Sequence, residues 1–142
     1  MTTPGRFGQQ VSAGAASFRC AVCGEMAAVV KAVPAGGTAG MGPPLGRQSQ
    51  DRDGIVVDYI GGTAWKADEA PSYQAVRDIL SGQAPDPAAL RRIDWELAPF
   101  SCPDCAQNYC RADCRTRVLV DDGFYDRTMG RCPNGHEHMI DD

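Results

Sequence analysis

Seven cysteines and one histidine stand in four close pairs along this chain, Cys20/Cys23, Cys102/Cys105, Cys110/Cys114 and Cys132/His136. Eight paired soft donors are what two tetrahedral zinc ions require, and metal held this way is folding free energy for a small core. Seven thiols cannot pair off completely as disulfides within one chain. The amino terminus has no basic start followed by an apolar stretch, and no apolar run reaches the roughly 18 residues of a membrane span. A reducing, cytoplasmic setting is therefore expected, in which paired cysteines serve as metal ligands.

The 142 residues are uneven in composition. Residues 1–16 carry few large apolar side chains and are expected to be disordered, leaving 17–142 as a single zinc-binding domain. Within it, residues 34–54 hold six glycines and three prolines and read as a flexible loop. Ser17 to Val33 reads as a strand, a metal knuckle at Cys20-x2-Cys23-Gly24 and a return strand, with Gly24 taking the positive φ that the tight return needs. Ile55 to Ile60 and Thr63 to Lys66 read as a hairpin through Gly61-Gly62, with Trp65 in the core.

A short helical insertion is expected over 71–97. Tyr73, Val76, Ile79 and Leu80 recur at helical spacing. Asp86 is a good N-cap before Pro87, and Leu90, Ile93 and Leu97 form an apolar stripe opposite Arg91, Arg92 and Asp94. Arg117 to Val120 and Phe124 to Met129 form a second hairpin, turned at Asp121-Asp122-Gly123. The resulting fold class is α+β, a small zinc-ribbon-like β-hairpin core with two metal sites.

That second hairpin would bring Cys114 and Cys132 together at its open end, so the last two pairs are expected to share an ion. This pairing gives an all-cysteine site 1 of Cys20, Cys23, Cys102 and Cys105, and a mixed site 2 of Cys110, Cys114, Cys132 and His136. Residues 24 to 101 would then be an insertion between two halves of a ribbon. The competing assignment is a cross-brace, in which pair one joins pair three and pair two joins pair four. His138 is the alternative to His136 as fourth ligand of site 2, although Cys-x3-His resembles the other pairs more than Cys-x5-His does.

The knuckles Cys20-x2-Cys23-Gly24 and Cys132-Pro133-Asn134-Gly135-His136 resemble those of bacterial zinc-ribbon and treble-clef proteins. The likeness implies a fold element and metal ligands, not an activity. The run Cys102-Pro103-x-Cys105-x4-Cys110-x3-Cys114 resembles the middle of RING-like zinc domains, over thirteen residues, but the 78 residues between pairs one and two are far more than such domains use. An iron–sulfur cluster on the same run fits poorly, because it lacks the ferredoxin spacings and would orphan the other pairs.

Catalytic patterns fail on particular residues. His136-Glu137-His138 lacks the four-residue spacing of a helical metalloprotease motif, and no His-x-Glu precedes a Pro-Cys-x-x-Cys as a nucleobase deaminase requires. The Gly36 to Gly46 stretch has no phosphate-loop lysine. Eight ligands in two closed shells leave no open coordination position, so no enzyme activity and no catalytic residue are expected. What remains is binding: a zinc-held protein-interaction or adaptor module with two Zn²⁺ per chain and a protein partner. The alternatives are a nucleic-acid-binding zinc ribbon using Arg111, Arg115, Arg117, Arg127 and Arg131, and a RING-like transfer cofactor or a thiol redox or zinc sensor. A net charge of −4 disfavours the nucleic-acid alternative, with Asp113, Asp121, Asp122 and Asp126 lying among the arginines. No membrane contact is expected.

Overall fold

The computed structural model describes residues 6–34, 53–59 and 72–141 in full, and of 62–67 the backbone alone. Most of the expected loop over 34–54, and the packing of Trp65, lie outside the described residues.

An antiparallel meander comes first: β1 (Gln9–Ser12), β2 (Ala15–Arg19), β3 (Met26–Val33), β4 (Gly54–Tyr59) and β5 (Gly62–Ala67), side by side in chain order. The β4–β5 hairpin matches the expected one. The disorder expected over 1–16 does not hold for residues 9–12 and 15–16, which are strand. Ala15 and Ala16, which look featureless in sequence, are buried, and Ala16 belongs to the main core. A sheet closely covered by other elements needs small side chains at such points.

Two helices follow, α1 (Ser72–Leu80) and α2 (Pro87–Ile93), then a single 3-10 turn at Trp95–Leu97. α1 lies on β3 and β2 and touches α2. Its buried residues Tyr73, Val76 and Leu80 follow the helical period. Asp86 caps α2, its Oδ1 accepting from the Ala88 amide at 3.0 Å. Asp94 ends α2 and caps the 3-10 turn through Glu96 N at 3.0 Å. That break rotates the expected stripe: Leu90 and Leu97 are buried, whereas Ile93 is exposed.

The main core joins Phe18, Val30, Ile55 and Val57 of the sheet to Val76, Leu80, Leu90, Leu97 and Phe100. Residues 24–101 therefore hold most of the principal core, and the reading of them as an insertion into a ribbon is corrected. Phe18 and Phe100 stack at 4.8 Å between ring centroids, tying the sheet to the segment that enters Cys102. Such a pair contributes about 1 kcal/mol beyond its buried area.

The remainder is a two-stranded ribbon, β6 (Ser101–Cys102) with β7 (Gln107–Asn108), and a three-stranded antiparallel sheet in the order β10-β9-β8. β8 is Arg115–Asp121, β9 is Phe124–Arg131 and β10 is Glu137–Asp141. The β8–β9 hairpin is the expected one, turned at Asp122 and Gly123, both at positive φ. A second buried cluster gathers Cys20, Cys102, Tyr109, Cys110, Cys114, Cys132 and Ile140, and Tyr59 packs against both cores. No helix among the described residues is long and apolar enough to cross a membrane.

Candidate metal centres

Two groups of donor atoms converge, each within 4.8 Å: Cys102, Cys105, Cys132 and His136 in one, and Cys20, Cys23, Cys110 and Asp113 in the other. Pair one meets pair three, and pair two meets pair four. This is the interleaved arrangement, and the sequential sites expected from the hairpin are corrected. The thiols of Cys102, Cys105, Cys110 and Cys114 are dispersed between the two groups and a third location, so this run gathers no four-thiolate iron site.

Two long-range hydrogen bonds give the physical reason. The Ala21 amide, inside the first knuckle, donates to the Asn108 carbonyl at 2.8 Å, and Asn108 ends the strand that leads directly to Cys110. The first knuckle is thereby set beside pair three. His138 Nε2 lies 3.0 Å from the Pro99 carbonyl, which lays the strand after His136 against the segment before Cys102. Arg91 secures that segment from α2, donating to the Ala98 carbonyl at 2.6 Å and to the Ser101 carbonyl. Burial pulls the Arg91 guanidinium below its ordinary value.

The first group is closely spaced. Cys105 Sγ lies 3.6 Å from Cys132 Sγ and 2.9 Å from His136 Nδ1, and that nitrogen is 3.5 Å from Cys132 Sγ and 3.8 Å from Cys102 Sγ. A tetrahedral ion with metal–sulfur bonds of about 2.3 Å and metal–nitrogen bonds of about 2.05 Å holds its donors about 3.5–3.7 Å apart, which the 3.5–3.8 Å separations fit, while Cys105 and His136 stand closer. Asn134 Nδ2 donates to Cys105 Sγ at 3.2 Å. Burial raises the Cys105 thiol, but hydrogen bonds led by Asn134, Tyr109 and His136 outweigh it and bring the group down to about 6. Burial pushes Cys102 up to about 12, against the opposing backbone hydrogen bonds of Cys105 and Asp104.

The knuckle turns repeat one geometry. Gly24 N donates to the Cys20 carbonyl at 3.0 Å and Ala106 N to the Cys102 carbonyl at 2.9 Å. Gly24 has φ +75° and Ala106 φ +58°. An alanine thus occupies, in the second knuckle, the left-handed position that a glycine takes more cheaply.

The second group contains a carboxylate. Asp113 Oδ2 is 3.1 Å from Cys20 Sγ and 3.2 Å from Cys110 Sγ, and Cys23 Sγ is 3.5 Å from Cys110 Sγ. Hydrogen bonds from Cys20, Cys110 and Cys23 hold the Asp113 carboxyl below the ordinary range. Burial first, then the adjacent Asp113 carboxylate, pushes Cys110 up to about 12. Metal ions of the zinc type take an Asp oxygen alongside thiolates, so three cysteines and one aspartate offer four donors of the kind such an ion binds.

Asp113 is the site residue that sequence reasoning missed. The signal was present: Cys110-x2-Asp113 has the same spacing as Cys20-x2-Cys23 and Cys102-x2-Cys105, whereas Cys110-x3-Cys114 does not. Cys114, expected in site 2, belongs to neither group. It is buried under β9, where a Cβ on Gly130 would lie 2.8 Å from its Sγ, and burial followed by the Cys132 charge raises it to about 11. His138, the alternative ligand, is buried outside both groups, and burial holds it below its ordinary value.

Neither a curated protein nor a solved structure matches the chain. Residues 9–142 match the model of a domain of unknown function, DUF8328, and the chain belongs to that family.

Proposed function

We propose that the chain is a zinc protein in which each group holds one Zn²⁺ structurally, and that it acts as a protein-interaction module. The observation that carries the zinc reading is that each group brings four donors of zinc-ligand type within 4.8 Å of one another. Four protein donors leave no position for a substrate, which supports a non-enzymatic role. The β10-β9-β8 sheet with the Cys132–His136 knuckle is the part read as ribbon-like. Exposed Val118 and Val120, with exposed Tyr125 paired across from Val120 on its hairpin, support the interaction role, since exposed aromatic and aliphatic surface marks protein contacts. Elemental analysis and native mass spectrometry of protein purified without added metal test the reading. Two zinc ions per chain uphold it; one zinc, or iron, overturns it.

Nucleic-acid binding is a second reading, favoured by one observation. The β8–β9 register pairs Arg115 with Arg131, Arg117 with Met129 and Leu119 with Arg127, so four arginines share one face of the sheet. Glu137 and Asp126 engage Arg117 and Arg127 at 3.3 and 3.5 Å and reduce that charge. Retention on DNA or RNA that falls steeply with salt would support this reading. The interleaved pairs favour a third, a RING-like transfer cofactor, which transfer of a ubiquitin-like protein from a charged carrier enzyme would support.

A further inference from the structure

β8 is the outer strand of the β10-β9-β8 sheet, and among the described elements only β9 runs in extended contact with it. Its far edge therefore presents a row of backbone N–H and C=O groups, a template for another strand. The strand is regular. Its pairing with β9 passes from Leu119↔Arg127 to Val120↔Tyr125, which leaves the extra residue, Asp126, on β9. Strict alternation then places Arg115, Arg117, Leu119 and Asp121 on one face of β8 and Thr116, Val118 and Val120 on the other. Val118 and Val120 are 60% and 63% exposed.

The strand, Arg-Thr-Arg-Val-Leu-Val-Asp, is complementary to itself. Run antiparallel about Val118, all seven residues overlap a second copy. Arg115 then stands opposite Asp121 at both ends, Val118 opposite Val118, and Thr116 opposite Val120. Arg117, which faces Leu119 in this register, already has its charge met by Glu137 within the chain. Arg115 and Asp121 have no ion pair among the described residues. Opposite charges directly across two strands stabilise the pairing, and like charges there oppose it.

We propose that β8 is a dimerisation edge whose occupant is β8 of a second copy, joining two three-stranded sheets into one of six strands. The inference names a partner for the interaction module, and it rests on that reading only for the role and not for the metal. A seven-residue edge buries little area, so the dimer is weak and forms in the micromolar to near-millimolar range.

Sedimentation velocity of the full, metal-loaded chain across that range tests it, with zinc content and circular dichroism read on the same samples. The wild type should show a concentration-dependent dimer. Asp121→Arg, which replaces two attractive pairs per dimer by two repulsive ones, should raise the dissociation constant about tenfold or more. Adding Arg115→Asp should return it to within about threefold of wild type, because the swapped pair is again complementary. A monomer at all concentrations, a dimer indifferent to Asp121→Arg, or a charge swap that fails to restore pairing overturns the proposal. A dimer that obeys the swap but carries no zinc upholds the pairing and overturns the zinc reading; a zinc-loaded monomer does the reverse.

Discussion

Asp113 Oδ2 lies 3.1 Å from Cys20 Sγ, across 93 residues of chain. The contact makes the aspartate, rather than the neighbouring Cys114, the fourth donor of its group. Asp113→Ala should lower zinc from two ions to one per chain, whereas Cys114→Ser should leave both. Asp113→Cys should retain two, since a thiolate at the same spacing completes the shell. Elemental analysis of the three variants decides it; metal lost from Cys114→Ser but kept in Asp113→Ala would return the ligand role to Cys114.

Interleaving has a thermodynamic signature. Cys20→Ser and Cys110→Ser should each remove one ion, and combining them should remove no more than either alone. Cys20→Ser combined with Cys102→Ser should remove both, because those residues belong to different groups. Native mass spectrometry reads the stoichiometry. Sequential sites would give the opposite pattern for the second pair of variants.

Gly130 sits where a side chain has no room. A Cβ there would lie 2.7 Å from Ile140 Cδ1 and 2.8 Å from Cys114 Sγ, and both side chains are buried. Gly130→Ala should destabilise the protein by about 1–3 kcal/mol, the usual penalty of overpacking a closed core. Chemical denaturation of the zinc-loaded protein measures it. A variant as stable as wild type would mean that Cys114 and Ile140 yield easily and that this contact does not hold β9 in place.

Ala106 holds a left-handed conformation at φ +58°. Glycine removes the steric penalty of about 1–2 kcal/mol, while its freer unfolded chain returns about half of that. Ala106→Gly should therefore stabilise the zinc-loaded protein by up to about 1 kcal/mol, seen as a higher thermal midpoint. A lower midpoint would show that the alanine methyl makes packing contacts that outweigh the strain.

Much was legible along the chain. The Asp121-Asp122-Gly123 turn, the capped helix at Asp86-Pro87 and three of the four pairs are local patterns, set by residues within a few positions of one another, and the structure contains each hairpin and helix close to its expected place. The strands at 9–12 and 15–16 were not legible, because Ala15 and Ala16 owe their burial to elements elsewhere in the chain.

The knuckles Cys20/Cys23, Cys102/Cys105 and Cys132/His136 were legible in sequence alone, since a knuckle is a local turn; the third pair was not, because Asp113 joins Cys110 where Cys114 was expected. Which pair meets which was decided only by tertiary structure. The hairpin does bring Cys114 near Cys132, but a hairpin constrains where backbones run, not where each thiol points. The Ala21–Asn108 and His138–Pro99 hydrogen bonds join segments 87 and 39 residues apart, and these contacts select the interleaved arrangement. Loop closure over such lengths varies too weakly with distance along the chain for spacing alone to favour either pairing.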